Sequence, residues 1–204
     1  MKIVRVIKLI ERGPFSSSKE WNDILGDITQ SITRMEWPPS SGSFTLKDES
    51  GKKRGKGSGV KPIRDAFCRN LKALGRGWDF ETRLEIAARA EPGPIDATIR
   101  VGDKLFAVEW ETGNISSSHR ALNKMAIGIL RGMLVGGCLI LPTLDMSKYL
   151  TDRVGRLEEI EPYFPLWAGL PTPEGVLAVV AVEHDALSQN VPRIPKGTNG
   201  RAVV

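Results

Sequence analysis

Apolar residues recur at helix-like and strand-like spacings along most of the chain. Over residues 17–35 they fall three and four positions apart, as on one face of an amphipathic helix, and Trp37-Pro38-Pro39 ends that segment. A second helix is predicted over 62–74, because proline is favoured in a first turn. Residues 1–12 alternate only loosely and fit either a helix or an edge strand.

Strand patterns dominate the middle of the chain. Apolar and polar positions alternate over residues 80–90, and a strand pattern resumes over 95–101. Gly102-Asp103 is a hairpin turn signal. Residues 105–111 are therefore expected to return antiparallel to 95–101.

Two continuous apolar runs, 138–141 and 175–182, are typical of strands that are buried on both faces. A short helix is predicted between them, over 145–157. Strands alternating with amphipathic helices predict an α/β fold with a central mixed β-sheet flanked by helices on both sides. At 204 residues the chain is most simply one domain, 1–204.

A long helix is expected before these two runs. It would begin at His119, with Ser116-Ser117-Ser118 offering caps, and end at Gly136-Gly137. Its apolar stripe is wide enough to be core only, or to be shared with a second copy of the chain. The stripe consists of Leu122, Met125, Ala126, Ile129, Leu130 and Met133.

Charge and composition narrow the class of protein. A formal net charge of +5 is mild evidence for a polyanionic partner, and 41% hydrophobic residues are ordinary for a globular domain. Lys2, Arg5 and Lys8 interrupt the N-terminal apolar residues, so neither a signal peptide nor a membrane span is expected. Cys68 and Cys138 lack CxxC spacing and are expected to be reduced, as in a cytoplasmic protein.

A basic, glycine-rich segment precedes the second helix. Between Lys52 and Arg64 there are six positive residues and no negative one. Gly and Ser at this density predict a mobile loop. The loop could be solvated surface or an arm that contacts the phosphates of a nucleic acid, and a nearby acidic site favours the second interpretation.

Three carboxylates are expected to meet at one end of the predicted hairpin. Asp96 lies near the start of its first strand, while Glu109 and Glu111 flank Trp110 at the end of its second strand. Residues two apart share a strand face, which places the Cα atoms of the two glutamates ~6.5–7 Å apart. Carboxylate oxygens suit Mg²⁺, and a metal-bound water can attack a phosphodiester. The pattern predicts a metal-dependent nuclease, although acids on a hairpin are weak evidence alone.

The residues around these acids resemble the BamHI family of type II restriction endonucleases, within the PD-(D/E)XK superfamily. The similar blocks run, in order, through WPPSSGSFTL, GVKPIR, GPIDA, ISSSHR, YLTDRV and NVPRIPKGTNGR, and together they look most like the short, OkrAI-like members. The family carries Glu where the superfamily motif usually ends in Lys. Glu111 shares this departure.

The resemblance implies a catalytic role for each acid. Asp96 and Glu109 would bind the metal, together with the carbonyl oxygen of Trp110. Glu111 would orient or deprotonate the attacking water. The implied cofactor is Mg²⁺, with two ions in each active site and Mn²⁺ as a substitute.

Family members carry a further acid on the preceding strand, for the second metal ion and its water. Glu81 is the choice here, and Asp79 and Glu85 are the alternatives, because the loop before GPID varies in length. Arg64 stands where relatives have Lys, and its implied contact is with phosphate, directly or through water.

The resemblance also implies which residues contact the bases of DNA. The implied readers are Asn114, Ser116, Arg120, Asp152 and Arg153. Their chemistry suits the task, since Arg pairs with guanine, Asp accepts from cytosine and Asn serves adenine. Gly197 and Asn199 would contact the minor groove, where relatives carry Asp in place of Asn199.

The substrate expected from these residues is double-stranded DNA with a palindromic site, GGATCC, cut by a homodimer. A protein that binds DNA but cannot cut it is one alternative. A nuclease of the same superfamily without sequence specificity is the other.

Overall fold

The structure is a computed structural model that describes residues 1–52, 56–84, 93–151 and 153–196. The predictions made for Glu85, Asp152, Gly197 and Asn199 lie outside the described residues. The strands are β1 (Lys2–Arg12), β2 (Thr45–Lys47), β3 (Asp79–Thr82), β4 (Ile95–Val101), β5 (Lys104–Trp110), β6 (Leu134–Pro142), β7 (Gly175–Glu183) and β8 (Ala186–Ser188). The helices are α1 (Lys19–Thr33), α2 (Lys61–Ala73), α3 (Ile115–Leu130), α4 (Leu144–Ser147), α5 (Leu157–Ile160) and α6 (Phe164–Ala168), with 3₁₀ turns at Pro14–Ser17 and Glu161–Tyr163.

A mixed sheet forms the centre of the fold. Within the described residues it has six strands in the order β1-β7-β6-β5-β4-β3. The neighbours β5, β6 and β7 are parallel, whereas β3, β4 and β1 pair antiparallel to the strands beside them. A short parallel pair, β2 with β8, lies apart from this sheet.

Helices cover both faces of the sheet, which confirms the predicted α/β architecture. Helices α1 and α2 pack in one core with Cys138 and Ile140, while α3, α5 and α6 pack in a second core with Leu139 and Leu141. Successive residues of β6 therefore point into different cores. This burial on both sides explains the unbroken apolar run seen in the sequence.

The first two helices form where local sequence signals predicted them. The Ser18 hydroxyl caps α1 by accepting a hydrogen bond from the Trp21 amide at 3.1 Å, and Pro62 lies in the first turn of α2. Residues 1–12, left open between helix and strand, form β1, which pairs with β7.

Among the described residues, no helix is long and apolar enough to cross a membrane. Cys68 and Cys138 are both free thiols.

Helix α3 begins and ends earlier than predicted. Its N-cap is Asn114, so Ser116 to Ser118 lie inside the first turn and do not precede it. The helix ends at Leu130, and Gly132 adopts a φ of 70° just beyond it. The single helix predicted over 145–157 was also wrong, since α4 and α5 are two short helices with an irregular segment between them.

Gly136 and Gly137, predicted to end a helix, lie instead within β6. A Cβ atom on Gly136 would lie 2.7 Å from the Val176 carbonyl oxygen and 2.7 Å from the ring of Phe106. A Cβ atom on Gly137 would lie 2.5 Å from the sulfur of Met125 in α3. The glycines are needed for close packing on both faces of the sheet, and this reason cannot be read from local sequence.

Main-chain hydrogen bonds join described residues in and beside the basic segment to other parts of the chain, and the mobility expected from its composition stays a prediction. The Gly51 amide donates to the Lys148 carbonyl at 2.8 Å, and the Ser58 amide donates to the Tyr149 carbonyl at 2.8 Å. The Gly59 amide donates to the Ile194 carbonyl at 3.0 Å. Glycine here permits close backbone approach, because a Cβ on Gly59 would lie 2.0 Å from the Pro195 carbonyl oxygen.

The close approach at Gly136 predicts that Gly136→Ala lowers the free energy of unfolding by about 1–3 kcal/mol, because the backbone of β7 must shift. The matched control is Gly26→Ala in α1, where nothing lies within 4 Å of the added Cβ. This control should raise stability by about 0.5–1 kcal/mol, since alanine favours a helix interior. Urea denaturation measures both values, and equal effects of the two substitutions would contradict the packing argument.

Candidate active site

The β4–β5 hairpin brings the predicted acids to one end of the sheet. Its register pairs Ala97 with Val108, so Asp96 lies beside the end of β5. The Trp110 amide donates a hydrogen bond to Asp96 Oδ2 at 2.7 Å. Glu109 lies within β5 and Glu111 directly follows it, and both side chains are buried.

Trp110 points into the core opposite to its two acidic neighbours. Its ring packs against Phe67 of α2, with the ring centroids 5.1 Å apart, and only its main chain faces Asp96. This arrangement fits the alternation of a strand, in which one face is apolar and the other carries Glu109. The indole is therefore core packing, and its carbonyl is the atom to consider as a metal ligand.

Arg64 of α2 is the counter-cation of Asp96. The Arg64 Nε donates to Asp96 Oδ1 at 2.8 Å, and another guanidinium nitrogen pairs with Glu81. Burial disfavours the charged guanidinium, but Asp96 and Glu81 outweigh this effect and raise the pKa of Arg64. Burial also raises the pKa of Asp96, and the nearby Arg64 charge only partly offsets it.

Lys124 of α3 is the counter-cation of Glu109. The Lys124 ammonium lies 2.5 Å from Glu109 Oε1, and 13% of the lysine side chain is exposed. Burial raises the pKa of Glu109 to about 7, with a further contribution from the negative charge of Asp96. Lys124 opposes that rise, so the two acids repel each other while separate cations hold them.

Glu111 is held by hydrogen-bond donors instead of a cation. The Gly113 amide donates to its Oε1 at 2.6 Å, and the Ser118 hydroxyl donates to its Oε2. Burial raises the pKa of Glu111, and these donors lower it. Gly155 closes the site from the other side, since a Cβ there would lie 2.5 Å from Ser118 Oγ.

Glu81 lies next to Asp96 in the sheet. Phe80 pairs with Ala97 and Thr82 pairs with Ile95, which puts Glu81 opposite Asp96. Its side chain is exposed, and its backbone adopts a φ of 55°. The alternative, Asp79, lies further along β3, opposite Thr98. Proximity thus favours Glu81 over Asp79, and its role stays a prediction.

The donor chemistry of the site fits a divalent cation. A carboxylate oxygen of Asp96 accepts from the Trp110 amide, and the Glu109 carboxylate lies close to Asp96, so oxygen ligands that hard cations prefer are grouped here. A bound cation would also relieve the repulsion between the two acids. Among the described residues no three acidic, His or Cys side chains converge as a metal cluster, and Arg64 and Lys124 pair with Asp96 and Glu109.

The predicted base-reading residues that the structure describes lie along the edge next to Glu111. Asn114, Ser116 and Arg120 are exposed at the start of α3. Arg153 is exposed in the segment before α5. The Gly155 amide of the same segment donates a hydrogen bond to the Gly113 carbonyl at 2.9 Å. Arg64, for which the resemblance implies a phosphate contact, pairs with Asp96 and Glu81. The roles of all these residues in DNA binding stay predictions.

A cleft of about 450 Å³ opens beside the acids. The residues that line it are Arg64, Asp65, Cys68, Arg69, Lys72, Phe80, Glu81 and Asp96. Burial raises the pKa of the Cys68 thiol to about 12, and this excludes it as a nucleophile at neutral pH. The exposed cations Arg69 and Lys72 make this cleft suitable for an anionic chain.

Three residues of the site were not found from the sequence. Ser118 was considered only as a helix cap, and Gly155 carries no motif. Lys124 had one available signal, since it is a charged residue among the apolar positions of α3. Its partner Glu109 is far away in sequence, so the pairing depends on how α3 packs on the sheet.

Comparison with known proteins identifies the group to which this fold and site belong. The family described as restriction endonuclease BamHI matches residues 1–201. Type II restriction enzyme OkrAI from Oceanobacter kriegii is 45% identical over 203 residues, which are 100% of each chain. Type II restriction enzyme BamHI from Bacillus amyloliquefaciens is 33% identical over 191 residues, 91% of this chain and 85% of the relative.

Solved structures agree on the fold. Restriction endonuclease BglII complexed with a DNA 16-mer has a TM-score of 0.64 and 13% identity, covering 95% of this chain and 88% of that one. Free BglII has a TM-score of 0.53 and 9% identity, covering 91% and 81%. The family match and the two relatives span the hairpin, α3 and the Arg153 segment together. The chain therefore belongs to the BamHI family of type II restriction endonucleases, which are site-specific deoxyribonucleases.

Proposed function

We propose that this restriction endonuclease hydrolyses both strands of double-stranded DNA at the palindrome GGATCC, using Mg²⁺ and acting as a homodimer. The observation that carries the proposal is that Asp96 and Glu109 lie close together across the hairpin, with Glu111 and the exposed start of α3 directly after it. Cleavage and base contact would then depend on adjoining residues. The same proposal includes a single domain over residues 1–204. It also includes a location in the cytoplasm, where the cell's DNA is accessible.

Asp96 and Glu109 are the proposed ligands of the metal, with the Trp110 carbonyl, and Glu81 serves a second ion. Mg²⁺ held by these ligands would polarise the phosphate and lower the pKa of a bound water. Mn²⁺ is a reasonable substitute because it also prefers oxygen ligands. The hairpin register places Asp96 beside the end of β5. The Trp110 amide then fixes the Asp96 carboxylate by a hydrogen bond.

Glu111 is the proposed group that orients the attacking water or removes its proton. The Gly113 amide and the Ser118 hydroxyl hold its two oxygens, so the carboxylate has one fixed direction. Its buried position raises its pKa, which makes it a better proton acceptor than a solvated carboxylate. Both features support Glu111 in this role without requiring a lysine at its position.

The proposed base readers are Asn114, Ser116 and Arg120 on α3 and Asp152 and Arg153 before α5. The groups on α3 are exposed, and Arg153 is exposed on the neighbouring segment, as major-groove contact requires. Arg64, Gly197 and Asn199 complete the proposed DNA contacts. Arg64 would have to exchange an acidic partner for a phosphate when DNA binds.

A second copy of the chain is the proposed partner, because a palindromic site matches two-fold symmetry. Most of the predicted apolar stripe of α3 is not available for contact with a second copy, since Leu122, Met125 and Ile129 are buried against the sheet. Exposed apolar side chains on and near α3 and α6 are better candidates for the dimer contact. They are Ile127 and Leu130 of α3, Tyr163, and Leu166 of α6.

Digestion of plasmid DNA tests sequence specificity and metal dependence. A plasmid with one GGATCC site should be linearised in Mg²⁺, and a plasmid with the scrambled site should stay intact. Asp96→Asn should slow cleavage by at least about a hundredfold, because a neutral amide is a poor ligand for Mg²⁺. Agarose gel electrophoresis of timed digests measures all three results.

The two alternative functions predict different results in these experiments. Cutting of the scrambled plasmid would identify a nuclease without sequence specificity. Binding of GGATCC duplex without cutting in Mg²⁺ or Mn²⁺ would identify a DNA-binding protein that has lost catalysis. Full activity in EDTA would contradict the metal role.

The hydrogen bond from Ser118 to Glu111 can be tested by substitution. Ser118→Ala should slow cleavage about ten- to a hundredfold, because a misdirected carboxylate no longer aligns the water. Affinity for GGATCC duplex measured in EDTA should stay close to that of the unmodified protein. The control is Ser17→Ala, whose exposed hydroxyl donates to the Pro14 carbonyl far from the acids. Equal cleavage rates for the two variants would show that Ser118 does not support Glu111.

The proposed dimer contact can be tested at Leu166. This residue is 69% exposed. Leu166→Asp should raise the dimer dissociation constant about a hundredfold, because it would bury a charge in the interface. Light scattering coupled to gel filtration measures the mass over a concentration series. Val4→Asp, at another exposed apolar position on β1, should leave the dimer intact. A dimer equally stable in both variants would place the interface elsewhere.

A further inference from the structure

Lys124 is more completely surrounded by oxygen atoms than a surface lysine. Its ammonium lies 2.5 Å from Glu109 Oε1, 3.0 Å from the Gly93 carbonyl oxygen and 3.4 Å from the Pro94 carbonyl oxygen. An ammonium group carries three N–H donors, so each can be directed at one of these oxygens. The lysine therefore occupies an oxygen-lined position similar to the one that a small cation would take.

These contacts tie three elements together at the acidic site. Lys124 belongs to α3, Glu109 belongs to β5, and Gly93-Pro94 leads into β4 just before Asp96. The ammonium thus fixes α3 to both strands of the hairpin. It also supplies the positive charge that Glu109 needs, because burial and Asp96 both disfavour its ionised form.

Lys124 and a metal ion would compete for the same carboxylate. Under the proposed function Glu109 is a metal ligand, yet in the structure its Oε1 is bound to Lys124. A divalent cation and an ammonium within a few ångströms repel each other strongly in a partly buried site. The Lys124 ammonium and a metal ion therefore cannot both bind Glu109 strongly.

We propose that Lys124 is an internal counter-cation of Glu109 which a divalent metal ion displaces when it binds. Lys124 is then a positioning residue that keeps the acids ordered in the metal-free protein. The inference rests on the proposed metal role of Glu109 and adds to it the residue that the metal replaces. Displacement also removes a link between α3 and the hairpin, so metal binding changes how the proposed base-reading helix is held.

The experiment measures Mg²⁺ binding to the DNA-free protein by isothermal titration calorimetry. Lys124→Gln retains hydrogen-bond donors for the two carbonyls but removes the competing charge. It should bind Mg²⁺ about tenfold more tightly than the unmodified protein. Lys124→Arg keeps the charge and should bind Mg²⁺ with nearly the original affinity.

The matched control is Lys19→Gln. Lys19 also pairs with a carboxylate, Asp23, at 2.6 Å, but this pair is exposed on α1. Its loss should leave the Mg²⁺ affinity unchanged. Unchanged or weaker binding by Lys124→Gln would overturn the counter-cation proposal alone. Absence of Mg²⁺ binding in the unmodified protein would overturn the proposed metal role, and this inference with it.

A second measurement needs no variant and therefore does not depend on how Lys124→Gln folds. Acetic anhydride modifies accessible lysines, and peptide mass spectrometry reports the extent at each site. Lys124, largely buried and hydrogen-bonded, should be modified slowly in EDTA and several-fold faster in Mg²⁺. Lys19 is exposed and should react equally in both conditions. Equal protection of Lys124 with and without Mg²⁺ would overturn the displacement.

Discussion

Burial of three carboxylates at the end of one hairpin is the constraint on which the rest of the structure depends. Asp96, Glu109 and Glu111 all have raised pKa values because they are removed from water. Such groups persist in a folded protein only where charges or donors compensate them. Here the compensation comes from outside the hairpin, with Arg64 on α2 and Lys124 on α3. The acids therefore need helices on both sides of the sheet.

This dependence links the site to the core packing. Helix α2 can present Arg64 to Asp96 because Phe67, one turn further on, packs against the ring of Trp110. Helix α3 can present Lys124 to Glu109 because Met125 and its neighbours pack against the sheet. Gly137 gives Met125 the room it needs. A change in the core that shifts either helix is thus expected to move a charge away from a buried acid.

The sequence predicted what depends on neighbouring residues. The hairpin, α1, α2 and the apolar central strands follow from periodicity, and the pattern Asp96, Glu109, Glu111 follows from hairpin register. Lys124 and Ser118 could not be predicted as parts of the site, because their acidic partners approach only when α3 packs on β5. Gly136 and Gly137 were misassigned for a related reason. A glycine that ends a helix and a glycine that admits a neighbouring side chain look alike in one sequence.

The same packing explains how base recognition could control cleavage. A Cβ atom on Gly155 would lie 2.5 Å from Ser118 Oγ and 3.2 Å from Glu111 Oε2. The Gly155 amide donates a hydrogen bond to the Gly113 carbonyl, and the Gly113 amide donates to Glu111. Arg153, a proposed base reader, lies two residues before Gly155. A base that cannot pair with Arg153 would displace this segment, and the space at Gly155 is too small to absorb the movement. Glu111 would then turn away from the attacking water, so a wrong sequence would be bound without being cut.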